Sequence, residues 1–120
     1  MGVQRRIQTQ LVNGTTVVTF VDRKILDAAN IQELGDELFA LVEQDGLTAL
    51  VLDFQTVEFL SSAALNKLII LDKKAKGKSG KLRLCNLKPE IQEVFVITRL
   101  NQLFDIRDSV DDALAAFKPK

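Results

Sequence analysis

The feature that most constrains this chain is the run Leu47–Phe54, LTALVLDF, which is apolar at nearly every position. A half-exposed strand alternates apolar and polar residues, whereas an unbroken run suits a central strand covered on both faces. Covering both faces takes helices on both sides of a sheet, so the run points to an α/β fold. The 120 residues suffice for one such domain, spanning 1–120, and not for two. With 47% apolar residues, 27% charged residues, 6 Gly and 2 Pro, the chain can build its core without disulfides.

The segments around this run alternate in period. Ile7–Val12 and Thr16–Val21 are β-rich and flank Asn13-Gly14, the strongest short hairpin signal because both residues tolerate positive φ. Asp27 suits the N-cap of a helix that carries Ile31, Leu34, Leu38, Leu41 and Val42 on one face and stops at Gly46. After the central run come Phe59-Leu60, then Ser61-Ser62, then a helical stretch over Ala63–Lys76 that Gly77 ends. Lys81–Leu87 is a further strand, and Pro89 opens a helix that turns Ile91, Val94 and Phe95 inward. Leu103–Ile106 is a short last strand. Ser109 and Asp112 resemble a capping box for a final helix to Phe117, beyond which Lys118–Lys120 should fray. After the hairpin, strands alternate with helices, so neighbouring strands should run parallel through right-handed crossovers. Leu50, Leu52, Leu68 and Ile69 are expected in the core.

Composition removes several chemistries. Sixteen basic and sixteen acidic side chains give a net charge of zero, so nothing draws the chain as a whole to nucleic acid or an anionic membrane. There is no histidine, which removes the commonest general base and the commonest zinc ligand. Cys85, the one cysteine, has no partner for a disulfide or a thiolate cluster. No enzymatic activity, metal or cofactor is expected. Met1–Arg6 is basic but lacks the apolar stretch of a signal peptide, and Arg6 stands where a myristoylated Gly2 would want Ser or Thr. The expectation is a soluble cytoplasmic protein.

Four further features have ordinary explanations. Gly77-Lys78-Ser79 resembles the end of a phosphate-binding loop, but Asp72 stands where its first glycine belongs and the helix precedes the loop. Lys73, Lys74, Lys76, Lys78, Lys81 and Arg83 are clustered without interleaved aromatics, as at a solvated helix end. Cys85 suits a packing role in a strand. Asp22, Asp27, Asp45 and Asp53 fall at element ends, where caps and turns use carboxylates.

Ser61 and Ser62 are more informative. Either could cap the helix that follows, and both stand at a helix start whose first amides lack internal partners. An oxyanion there is favoured by those amides and by the positive end of the helix dipole. A phosphoserine would add about −1.5 to −2 charges to the surface without requiring the domain to unfold.

Asp53–Leu65, DFQTVEFLSSAAL, resembles the signature of STAS domains, specifically bacterial anti-sigma factor antagonists. The opening hairpin, the Leu26-Asp27 pair before the first long helix and the element order extend the likeness over essentially the whole chain. The resemblance implies a single STAS-like α/β domain: a small mixed β-sheet with an N-terminal hairpin and mainly parallel remaining strands, covered by about four helices. It implies a phosphorylation-gated binding protein that engages a serine-kinase anti-sigma factor and is reset by a PP2C-type phosphatase, so regulating transcription. Phe59, Leu60 and Leu65 match the motif, which puts Ser62 on the phosphorylated serine, with Ser61 as the alternative. Ser61 replaces the family's aspartate and Ala64 its glycine. The partner-binding surface would comprise Asp27, Ser61, Ser62, Ala63 and Asn66. A weak homo-oligomer is a further possible association. Two other readings compete: a STAS scaffold that is never phosphorylated, and an enzyme or small-ligand protein using the same surface.

Overall fold

A computed structural model describes residues 6–44 and 46–115. A five-stranded sheet has the order β1-β2-β4-β6-β7, formed by β1 (Ile7–Val12), β2 (Thr15–Phe20), β4 (Ala49–Asp53), β6 (Lys81–Cys85) and β7 (Asp105–Arg107). β1 and β2 are antiparallel and every other pairing in this sheet is parallel. The helices are α1 (Ala28–Glu43), α2 (Ser62–Gly77), α3 (Pro89–Ile97) and α4 (Val110–Ala115).

The central run behaves as its composition dictates. Leu50 and Leu52 point into the main core with residues of α1, α2 and α3, while Val51 points the other way into a smaller cluster with Val17, Cys85 and Ala113 of α4. Both faces of β4 are thus covered, which is why the strand needs no polar face. The strand, Ala49–Asp53, is shorter than the apolar run at both ends, and Phe54, just past it, packs its ring on Phe20 with ring centroids 4.8 Å apart. Leu68 is fully buried in the main core, but Ile69, one position on around α2, is only partly buried against it.

Several boundaries differ from the sequence expectation, each for a local reason. The hairpin closes at Val12↔Thr15 around Asn13 (φ +52°) and Gly14 (φ +83°), so β2 begins one residue earlier and Val21 lies outside it. The left-handed residue after α2 is Ser79 (φ +59°), not Gly77, which is the last helical residue. A left-handed Asn86 (φ +57°) ends β6 at Cys85, before Leu87. Leu100–Gln102 forms a 3₁₀ turn after left-handed Arg99, and this moves the last strand from Leu103–Ile106 to Asp105–Arg107. Ser109 caps α4 through one half of the expected box, the Asp112 amide donating to Ser109 Oγ at 3.2 Å; the expected helix end at Phe117 and the expected fraying of Lys118–Lys120 lie outside the described residues.

One pairing has no counterpart in the sequence reading. β3 (Lys24–Ile25) and β5 (Phe59–Leu60) form a two-stranded parallel ladder with Lys24↔Phe59 and Ile25↔Leu60. The Ser61 amide extends it, donating to the Ile25 carbonyl at 3.1 Å. Each strand leads directly into a long helix, so this short ladder sets the starts of α1 and α2 side by side.

Candidate functional site

The two helix starts are capped differently. Asp27 Oδ1 accepts from the amides of Ala29 (2.9 Å) and Asn30 (3.1 Å), so α1 begins on a carboxylate. Ser61 caps α2, its Oγ accepting from the Ala64 amide at 3.2 Å. Serine and aspartate are about equally good caps, so Ser61 fills the capping role that an aspartate would, without its charge. Ala64 is buried in the first turn of α2, where alanine favours the helix more than glycine does.

Ser62 is therefore the first helical residue and not a cap. Its side chain is exposed and makes no hydrogen bond to any described residue. Ala63 and Asn66 are exposed on the same end of α2, Asn66 one turn beyond Ser62. All five residues of the expected surface thus gather where α1 and α2 begin, with Ser61 the most enclosed of them. The first turns of both helices lack acidic residues, so of the two helix starts only that of α1 carries a carboxylate, the Asp27 cap.

Two apolar side chains at this mouth escaped the sequence reading of the surface. Leu26 is 54% exposed and Phe59 51% exposed, although Leu26 follows the buried Ile25 and Phe59 precedes the partly buried Leu60. Phe59 carries Lys24 Nζ 5.5 Å from its ring centroid. Their signal was the alternation of the ladder: Ile25 and Leu60 turn inward, so the residues beside them turn out.

Asp53 and Asp22 have structural partners. Asp53 Oδ1 accepts from the Gln55 amide and from Asn86 Nδ2, both at 3.0 Å, and so ties the end of β4 to the turn after β6. Lys88 Nζ donates to the Gln55 carbonyl and closes the same corner. Asp22 pairs with Arg6 at 3.2 Å, and Asp45 lies outside the described residues. Burial, with a smaller contribution from Asp53, pushes the Cys85 thiol up to about 12, so at neutral pH it is a protonated packing group.

Two lysines near the end of α2, and Arg83 on β6, are held in ion pairs. Lys74 meets Glu43 at 2.8 Å, Lys76 meets Asp72 at 2.9 Å, and Arg83 meets Asp105 at 2.8 Å. A hydrogen bond from Arg107, with Arg83 nearby, holds the Asp105 carboxyl below its ordinary range. The amides of Lys78, Ser79 and Gly80 all donate back to carbonyls of α2, so Gly77-Lys78-Ser79 offers no cradle for phosphate. Among the described residues no group of His, Cys, Asp and Glu is placed to hold a metal ion, and no helix is long and apolar enough to cross a membrane.

This order of elements, with a mixed sheet and two helices starting from a short parallel ladder, defines the protein's class. The STAS domain family model matches residues 6–113, and the chain belongs to that family. Within it, the chain resembles anti-sigma factor antagonists. A Bordetella bronchiseptica protein named "Putative anti-sigma factor antagonist BtrV" is 36% identical over 94 residues, covering 78% of this chain and 80% of that one. The crystal structure of an anti-sigma factor antagonist from Mycobacterium paratuberculosis is 27% identical, with a TM-score of 0.80 over 92% of this chain and 91% of that one. The Bacillus cell fate determinant SpoIIAA, solved in its phosphorylated form, shares the fold at 17% identity, with a TM-score of 0.70 over 93% of this chain and 99% of that one.

Proposed function

We propose that this chain is a non-catalytic, phosphorylation-gated antagonist of a serine-kinase anti-sigma factor, with Ser62 as the phosphoacceptor. The observation that carries the reading is the division of labour between the two serines. Ser61 holds the cap, so the Ser62 hydroxyl is exposed, unbonded and free to react without loosening α2. In its unmodified state the mouth of α1 and α2 presents Asp27, Ser61, Ser62, Ala63 and Asn66, with Leu26 and Phe59 adding apolar area. A partner that covers this surface buries a neutral hydroxyl at little cost.

Phosphate on Ser62 changes both terms. Locally it is tolerated, because the first amides of α2 and the positive end of its dipole favour an anion. Across the interface it adds about −1.5 to −2 charges that must be desolvated, and it adds repulsion toward any carboxylate the partner brings. The gate is therefore an interface effect rather than unfolding. A PP2C-type phosphatase would restore the neutral surface.

The test is phosphate transfer from ATP by the serine-kinase anti-sigma factor of the same organism, mapped by mass spectrometry. Label on Ser62, lost in Ser62→Ala and retained in Ser61→Ala, is the expected result. Label on Ser61 would move the acceptor by one residue. No label on either serine, with partner binding intact, would leave an unphosphorylated scaffold in its place.

A further inference from the structure

Among the described residues the five-stranded sheet ends in two unpaired edges, β1 and β7, that are built differently. β7 is three residues long and carries Asp105 and Arg107, held together at 2.7 Å. Short length and charge are the usual guards against strand addition. β1 has neither guard along most of its length. It is six residues long, IQTQLV, with no charge and no proline, and Gln8, Thr9, Gln10 and Leu11 are all exposed. Leu11 is 71% exposed.

The backbone orientation follows from the hairpin. A two-residue turn closes on a hydrogen-bonded pair, here Val12↔Thr15, and such pairs recur at every second residue. Gln8, Gln10 and Val12 therefore bond to β2, while Ile7, Thr9 and Leu11 turn their N–H and C=O groups outward. The bond from the Val21 amide to the Arg6 carbonyl (2.9 Å) fits this phase. Glu37 of α1 occupies the beginning of the edge by accepting from the outward amide of Ile7 (3.4 Å). The open stretch is Thr9 and Leu11.

We propose that this open stretch of β1 pairs antiparallel with β1 of a second copy of the chain, about a two-fold axis at Gln10. In that register Thr9 and Leu11 of each copy face Leu11 and Thr9 of the other, and all their outward groups are paired. Gln10 opposes itself, and Gln8 opposes Val12. An axis through a charged strand would set like charges against each other, whereas this strand is neutral throughout, which makes it self-complementary. Leu11 covers its exposed side chain against the Thr9 methyl of the partner, because directly opposed residues share a face. The contact is far smaller than the roughly 1,200–2,000 Å² of a standard interface, so the dimer is weak and concentration-dependent. No residue of the α1–α2 mouth belongs to it, and the proposal stands apart from the phosphorylation reading.

Sedimentation of the full chain from micromolar to millimolar concentration, with amide exchange of Thr9 and Leu11 followed by NMR, tests it. The expected result is a monomer–dimer equilibrium in which both amides gain protection as dimer forms. Gln10→Lys and Gln10→Glu should each weaken self-association roughly tenfold or more by placing like charges on the axis. Mixing the two variants should restore a heterodimer. Ile97→Lys, at an exposed position on α3, should leave association unchanged. A chain that stays monomeric at millimolar concentration overturns the proposal, as it would if an extended segment of another protein were the true occupant. A dimer insensitive to both Gln10 variants overturns it equally, by placing the interface elsewhere.

Discussion

α1 and α2 are both sixteen residues long and start side by side from one parallel ladder, yet their ends are prepared for different things. α1 begins on the Asp27 carboxylate, which accepts two amides, so its dipole already has an anion beside it. α2 begins on a neutral hydroxyl that accepts one amide, followed by an exposed serine with no bond of its own. The same helix physics thus yields a closed end and an end still able to take a negative charge. The asymmetry lies in the caps, since both bodies are anchored by buried leucines.

Substitutions in those bodies should have the largest effects. Leu38→Ala in α1 and Leu68→Ala in α2 should each cost about 2–5 kcal/mol, through lost transfer energy and the cavity left behind. Ile69→Ala, from a partly buried position, should cost about 1 kcal/mol in the same denaturation experiment. Equal losses at positions 68 and 69 would mean that α2 is rotated from its described orientation.

The caps come next. Asp27→Ala should cost about 1–2 kcal/mol, and Ser61→Ala about 0.5–1 kcal/mol because it removes a single, longer hydrogen bond. If Ser61→Ala proves the more damaging by urea titration, α2 depends on its cap more than α1 does and the contrast is reversed.

Gly35→Ala probes how closely the two helices approach. A Cβ at position 35 would lie 2.9 Å from Cδ of Lys67, the far part of a flexible side chain that can move aside. Alanine is also the better residue in a helix interior by up to about 1 kcal/mol. The variant should be neutral or stabilised by about 0.5 kcal/mol in thermal melts, and a loss above about 1 kcal/mol would show that Lys67 cannot yield.

The smallest loss of stability is expected on removing the hydroxyl proposed as the phosphoacceptor. Ser62→Ala should change stability by no more than about 0.5 kcal/mol, as expected for an exposed side chain without a partner. Ser62→Asp should stabilise α2 by about 0.3–1 kcal/mol through the helix dipole while weakening partner binding in calorimetry. A clear loss of stability in either variant would mean that Ser62 shares the cap after all.

Most elements were legible because burial writes a period into a chain. The 3.6-residue pattern of Ile31, Leu34, Leu38, Leu41 and Val42 marks α1, and the unbroken apolar run marks β4. The STAS resemblance and its fold came from the Asp53–Leu65 motif, and the family model and the relatives bear both out. The β3–β5 ladder was not legible, since strands of two residues carry no period and their partners lie 35 positions apart. The exposure of Leu26 and Phe59 follows from that ladder and was hidden with it.

The division between Ser61 and Ser62 marks where local sequence stops. Both serines suit a cap, and either could precede the first turn, so composition and motif narrowed the choice without making it. Pairing of the Ser61 amide with the Ile25 carbonyl holds Ser61 in extended backbone as a continuation of β5, and the next residue is the first free to turn helical. Sequence set the period, the core and the presence of two hydroxyls at a helix start, because these depend on near neighbours. A hydrogen bond from a distant strand assigned one hydroxyl to the cap and left the other exposed, because only tertiary packing brings residue 25 beside residue 61.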